Sequence, residues 1–137
     1  MRRLFALLAL VALGACTNEI DQSTRPDNIV GSYHLLSYGG TILPATIRAD
    51  SVNLQVIDGT LILAADGAWS ETLSVQSSFA GVMQVQPATT FGNWNNIRQF
   101  AYISFFDKLN NYQFSGTASG ATIVLNTVNG DQLVYRR

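Results

Sequence analysis

The chain has 137 residues, with 8 basic and 9 acidic side chains, one histidine, one cysteine and only 12% charged residues. That length supports one domain with a single real core. The near-neutral balance leaves no basic stripe to follow phosphates, which argues against nucleic acid as a partner, and one cysteine cannot form an internal disulfide. Low charge with abundant Thr, Ser, Asn and Gly suits an antiparallel β protein whose outer faces are polar and uncharged.

Arg2 and Arg3 are followed by an unbroken apolar run from Leu4 to Leu13 and then by the small residues Gly14 and Ala15. A basic start, a short apolar core and small residues before a cut make a secretory signal. The run is shorter than the ~20 residues a membrane-spanning helix takes. The stretch Leu13-Gly14-Ala15-Cys16 resembles the lipobox of bacterial lipoproteins. The resemblance implies cleavage before Cys16, a diacylglyceryl thioether on its sulfur, and a fatty acyl chain such as palmitate on the new N-terminus. Ordinary signal cleavage after Ala15 is the alternative, and it would leave a lone reactive thiol on an exported protein. Thr17, rather than Asp, follows the cysteine; by resemblance to Gram-negative sorting this implies the periplasmic face of the outer membrane. Loss of Arg2 and Arg3 would leave the mature chain net acidic.

Three segments result: a signal over residues 1–15, the lipidated Cys16 with a tether to residue 28, and a domain over residues 29–137. Thr17 to Asn28 is polar, contains Pro26 and has no periodicity, so it reads as a flexible tether reaching at most about 40 Å. From Ile29 onward, short apolar-polar runs alternate with turn residues. Ile29 to Tyr38 reads as a first strand ended by Gly39-Gly40, with His34, Leu36 and Tyr38 on the face opposite Tyr33 and Leu35, Thr41 to Pro44 as a brief extended piece, and Ala45 to Ser51 as a loop or short turn. Val52 to Ile57 and Thr60 to Ala65 read as one strand bent at Asp58-Gly59, or as two. Asp66-Gly67 marks a hairpin, with Ala68 to Gln76 as the return strand. Phe79 to Gln86 is a weaker strand, Pro87 interrupts, and Thr89 to Asn95 pairs again. Arg98 to Phe106 is the most apolar run. Tyr112 to Ala118, Thr122 to Thr127 and Gln132 to Arg136 are three further strands, joined by Ser119-Gly120 and Asn129-Gly130-Asp131, which carry the Gly and Asn that tight hairpin turns need for positive φ. No helical period longer than a turn appears outside the signal. Eight to ten short antiparallel strands form an all-β up-and-down meander, and such a meander closes into a small barrel to remove its edges.

Four features resemble small bacterial lipoproteins with a lipocalin-like domain. Gly31-Ser32-Tyr33 is similar to the Gly-x-Trp that opens lipocalins, with Tyr in place of Trp. Gly59-Thr60-Leu61-Ile62-Leu63-Ala64-Ala65-Asp66-Gly67-Ala68-Trp69 resembles a Gly-x-Leu-x-Leu-x-x-Asp-Gly-x-aromatic signature. Gly92-Asn93-Trp94 repeats Gly-x-Trp, and the chain closes on Val134-Tyr135-Arg136-Arg137. The resemblance implies structural roles for Gly31, Tyr33, Gly67 and a late arginine. It implies that Arg136 packs across Tyr33 and closes the base of the barrel by a cation–π contact. It supplies no cofactor and no established ligand.

Enzyme chemistry finds no support in the residues. His34 is the only histidine, no free cysteine remains as a nucleophile, no Gly-x-Ser-x-Gly elbow is present, and Asp and Glu are scattered singly, so neither catalytic nor metal-ligating residues are assigned. Alternation places Trp69, Glu71, Leu73 and Val75 on one face of their strand. If that face is interior, Glu71 is either a polar anchor for a ligand amine or hydroxyl, or a solvated mouth residue bridged to an Arg such as Arg98. The leading expectation is a non-enzymatic module that binds a small apolar or amphipathic ligand in a barrel lined by Leu61, Leu63, Trp69, Leu73, Ile103, Phe105, Tyr112 and Phe114, with Glu71 or Tyr112 fixing its orientation. The other expectation is a solid barrel that binds an envelope protein, as an assembly factor or hydrolase inhibitor, through loops 45–51 and 86–96 or through the Phe100-Tyr102-Phe106 face. Interior volume discriminates between them.

Overall fold

The computed structural model describes residues 29–49, 52–96 and 102–137. Ten strands follow one another: β1 (Gly31–Tyr38), β2 (Thr41–Ile42), β3 (Ala45–Ala49), β4 (Val52–Leu63), β5 (Ala68–Phe79), β6 (Val82–Asn96), β7 (Tyr102–Asp107), β8 (Tyr112–Ser119), β9 (Thr122–Asn126) and β10 (Gln132–Arg136). Every neighbour pair is antiparallel, and β1 pairs with both β10 and β4. The eight strands β1 and β4–β10 therefore close into a barrel, with β2 and β3 as short extra strands beside it. This all-β meander is consistent with a lipocalin-like fold. The signal, Cys16 and the tether lie outside the described residues, as do Arg98 and Phe100.

Alternation sets the barrel wall. Leu61 and Leu63 on β4 pair with Glu71 and Trp69 on β5, Phe105 on β7 pairs with Phe114 on β8, and all these side chains point inward. The buried core joins Tyr33, Leu35, Val56, Leu61, Leu63, Trp69, Trp94, Ile103, Phe105, Ile123, Leu125, Leu133 and Tyr135. Leu73 and Phe114 pack against it half-buried. Completing the burial of one such side chain is worth about 1.5–3 kcal/mol, and with one cysteine in the chain this packing is what holds the domain together.

One end of the barrel is sealed. The Tyr33 hydroxyl donates to the Ile29 carbonyl at 2.7 Å and accepts from Arg137 Nη2 at 2.9 Å. Arg137 Nη2 also donates to the Val30 carbonyl at 2.7 Å, and its guanidinium carbon lies 4.9 Å from the Tyr33 ring centroid. The expected Tyr33–arginine closure is present, but Arg137 makes it, not Arg136. Arg136 pairs with His34 across β1 and β10 and faces solvent. Outward-facing Arg136 has the wrong parity, because Tyr135 beside it points into the core. Gly31 lets the guanidinium pass, since a Cβ there would sit 3.0 Å from Arg137 Nη2. Trp94 completes the seal, its indole donating to the Ala64 carbonyl at 3.0 Å. Gly67, at φ 85°, makes the β4–β5 turn, where its amide donates to Ala64.

Four sequence expectations are corrected. Ala45 to Ala49 is a strand rather than part of a loop, because it pairs residue for residue with β4 from Val56 to Val52. β5 runs on to Phe79, and β6 is continuous through Pro87, so 86–96 is strand and not loop. The β5–β6 turn is Ala80-Gly81, with φ 50° and 79°, the two positive values of a type I′ hairpin. In such a hairpin Phe79 and Val82 form the hydrogen-bonded pair, and alternate pairs follow. Pro87, opposite Ser74 in an unbroken register, then points its nitrogen away from β5 and costs no ladder bond. The fourth correction is Tyr38. A bulge between Leu35 and Ser37 reverses the alternation, so Tyr38 turns toward the core rather than following His34 and Leu36 outward. Asp58-Gly59 behaves as read: β4 is one strand with an irregularity between Val56 and Asp58.

β5 and β6 are much longer than the barrel needs. β7 begins to pair with β6 only at Gly92, so, among the described residues, 82–91 of β6 pair with β5 alone. The hairpin projects beyond the open end of the barrel, and residues 82–89 are all exposed.

Candidate functional site

The open end gathers the polar groups of the interior. Glu71 projects inward from β5 between Leu61 of β4 and Thr90 of β6. The buried Tyr135 hydroxyl donates to Glu71 Oε1, and Thr90 Oγ1 lies 3.5 Å from Oε2. Burial pushes the Glu71 carboxyl above the ordinary carboxylate range; the Tyr135 and Thr90 hydroxyls oppose that push and Asp107 adds to it. Burial, then Glu71, push the Tyr135 hydroxyl far up. Tyr38 is raised by burial and by Asp131 and Glu71. Tyr112 is raised by burial and by Asp107 and Glu71. Three carboxylates and three tyrosines thus share one mouth.

Asp107 is fully buried because it builds the β7–β8 turn. Its Oδ1 accepts from the amides of Leu109 at 2.8 Å and Asn110 at 3.0 Å, and its Oδ2 accepts from Asn110 Nδ2 at 2.8 Å. Those bonds meet the cost of burying a carboxylate. They also place Tyr112, the residue paired with Asp107, at the mouth.

An aromatic stack forms the floor. Phe105 and Phe114 are stacked with centroids 5.0 Å apart. Trp69 meets them edge-on at 5.6 and 5.4 Å, and Tyr112 leans on Phe114 at 5.8 Å. The Trp69 indole donates to the Phe106 carbonyl at 3.2 Å. It reaches that carbonyl because position 92 has no side chain: a Cβ on Gly92 would stand 1.8 Å from Phe106 O and 2.9 Å from Trp69 Nε1. The space left above the floor is a cavity of about 50 Å³ lined by Trp69, Glu71, Thr90, Tyr112, Phe114, Leu125, Thr127 and Leu133. That is room for a few waters, well below the roughly 300 Å³ at which drug-sized ligand pockets begin.

Of the residues singled out in the sequence, Trp69, Glu71, Tyr112 and Phe114 converge on this cavity. Phe105 lies beneath it, fully buried, and Leu73 stands one step up β5 beside Gly59. Leu61, Leu63 and Ile103 fill the sealed half. Tyr102 is half-exposed, with its hydroxyl toward Ser115 at 3.2 Å, and Phe106 is half-buried on the same outward face. Sequence reasoning missed Tyr135, Thr90, Thr127, Asp107 and Tyr38 as site residues. Alternation on β10 could have found Tyr135, and Asp-x-x-Asn at 107–110 is a turn signature that could have found Asp107. His34 faces outward on β1. Among the described residues no group of three or more His, Cys, Asp or Glu is placed to hold a metal ion.

A second hollow, of about 320 Å³, lies on the outer face of the projecting sheet, lined by Thr46, Asn53, Gln55, Gln76, Ser78 and Met83. Compared with known proteins, the chain matches no family model and no curated protein.

Proposed function

We propose that this chain is a lipid-anchored envelope protein that binds another protein through the projecting β5–β6 hairpin, with the packed barrel as its rigid mount. The hairpin carries the reading. At its free end Phe79 and Val82 on one face are 70% and 60% exposed, and Met83 and Val85 on the other face are 69% and 56% exposed. The sequence from Thr72 to Ile97 contains no ionisable side chain, so the usual charged guards of a free edge are missing. By the hairpin parity, the amides and carbonyls of Met83, Val85 and Thr89 point away from β5, where no strand among the described residues pairs with them, and they suit a partner strand. Completing the burial of the four apolar side chains is worth on the order of 6 kcal/mol. That is comparable with the low end of the cost of association, so strand pairing along β6 has to supply the surplus. Such a contact is insensitive to salt.

The lipobox resemblance at Cys16 supports the anchor, and the packed interior supports the solid-barrel reading over an enclosed lipid-sized ligand. The small mouth cavity favours a second, narrower reading, in which only a ligand head group enters the barrel. The hairpin reading is tested by placing a photo-crosslinking residue at Phe79 or Met83 in the full chain, in cells, with Ile62 on the barrel wall as control. One discrete crosslinked partner from both hairpin positions and none from Ile62 is the expected result. Equal crosslinking from Ile62, or none from the hairpin, overturns it.

A further inference from the structure

The geometry points to the mouth cavity as a site for a primary ammonium group on a short apolar stem, held by Glu71 against Trp69, Tyr112 and Phe114. This rests on the second reading above and is independent of the hairpin. Four observations carry it.

The first is charge. Glu71 lines the cavity, Asp107 and Asp131 stand close enough to act on the tyrosines around it, and no Lys or Arg is among the described lining residues. A carboxylate whose hydrogen bonds among the described residues come from hydroxyls is under-compensated, and an entering cation restores the lost attraction. The second is hydrogen-bonding sense. Glu71 and the hydroxyl-bearing Thr90, Thr127 and Tyr112 line the space, and their oxygens carry acceptor lone pairs of the kind the three N–H donors of a primary ammonium need. A quaternary ammonium has none to give. The third is the floor. Trp69, Phe114 and Tyr112 meet at 5.4–5.8 Å and 50–84°, so ring faces and edges both border the cavity, and a cation near a ring face gains from its quadrupole. The fourth is size. About 50 Å³ takes an ammonium and the first carbons of its stem, while Leu125 and Leu133 supply apolar wall for those carbons.

The chain contains only two tryptophans, and only one of them lines the cavity. Trp69 borders the cavity, and Trp94 is locked at the sealed end by Ala64. The experiment is a titration of the full chain in non-ionic detergent at pH 7, with both indole N–H groups followed by NMR. The probes are n-butylammonium, its neutral isostere 1-butanol, butyrate and tetramethylammonium. The expected result is a saturable shift of the Trp69 indole with n-butylammonium while Trp94 stays still, at least tenfold weaker binding of the other three, and at least tenfold weaker n-butylammonium binding in Glu71→Gln. The Gln side chain keeps an oxygen for Tyr135. If Glu71→Gln fails to fold, the four probes on the unaltered chain decide alone. Butanol binding as well as butylammonium overturns the ammonium inference and leaves a small-ligand mouth standing. No shift of Trp69 with any probe overturns both.

Discussion

Gly92→Ala is the sharpest test of how the floor of the mouth is built. Gly92 is not in the left-handed region of φ, so alanine is free to adopt its backbone, and in an ordinary strand interior the exchange would gain about 0.5–1 kcal/mol. Here the new Cβ would lie 1.8 Å from Phe106 O and 2.9 Å from Phe106 C, both backbone atoms of the paired strand. A rotamer change cannot relieve that overlap, so β6 and β7 must separate where Gly92 meets Asp107. Separation costs about 1–3 kcal/mol of strain. It removes the 3.2 Å bond from the Trp69 indole to Phe106 O, about 1 kcal/mol, and loosens the two edge-on contacts of Trp69 with Phe105 and Phe114, about 0.5–1.5 kcal/mol each. Net of the gain from replacing glycine, the sum is a loss of about 2–6 kcal/mol, centred near 4. With a urea m-value near 2 kcal/mol/M, the unfolding midpoint should fall by about 2 M. Gly120→Ala is the control. It has φ 58° and nothing within 4 Å of its Cβ, so it should lose only the roughly 1–2 kcal/mol of left-handed backbone strain. A Gly92→Ala loss below that of Gly120→Ala refutes the close-approach argument.

Arg137→Ala should lower stability by about 1–2 kcal/mol, since it strips the bonds to Val30 and Tyr33 and the cation–π contact. Arg136→Ala should stay within about 0.5 kcal/mol. Chemical denaturation of both variants checks the assignment, and the reverse ranking would return the closure to Arg136. Glu71 gives a pH dependence of known sign. Its carboxyl is raised in the folded chain, so the folded state binds the proton more tightly than the unfolded state. That favours folding at low pH and is lost as pH climbs from the ordinary carboxylate value toward the raised one. The stability of Glu71→Gln minus that of the parent should therefore grow between about pH 4 and pH 7. A difference that shrinks over that interval would place Glu71 in a charge-stabilising environment instead.

Much of the fold was legible because a strand writes its faces in alternate residues. Trp69, Glu71 and Leu73 fell on one side from the sequence alone, and so did Tyr112 and Phe114. The turns at Asp66-Gly67 and Gly120 carried their own backbone chemistry. The site was only half legible. Its β5 and β8 residues could be named, but Tyr135 comes from 64 positions beyond Glu71, and only closure of β10 onto β1 brings it across. Tyr38 was misplaced because a bulge, invisible in residue types, reverses parity. Pro87 looked like an interruption because its meaning depends on whether its nitrogen faces β5 or open solvent, which register decides.

By itself, then, the sequence determined the class: an antiparallel meander, glycine at its turns and one apolar face per strand, preceded by a stretch that resembles a lipoprotein signal. Those properties are local, set by side-chain alternation and by backbone positions only glycine fills easily. Tertiary structure alone decided that Arg137 rather than Arg136 seals the base, that aromatic rings leave about 50 Å³ of interior at the mouth, and that β5 and β6 outrun the barrel. Closure, residual volume and overhang are sums over strands distant in sequence, and a shift of one residue in any register changes them all.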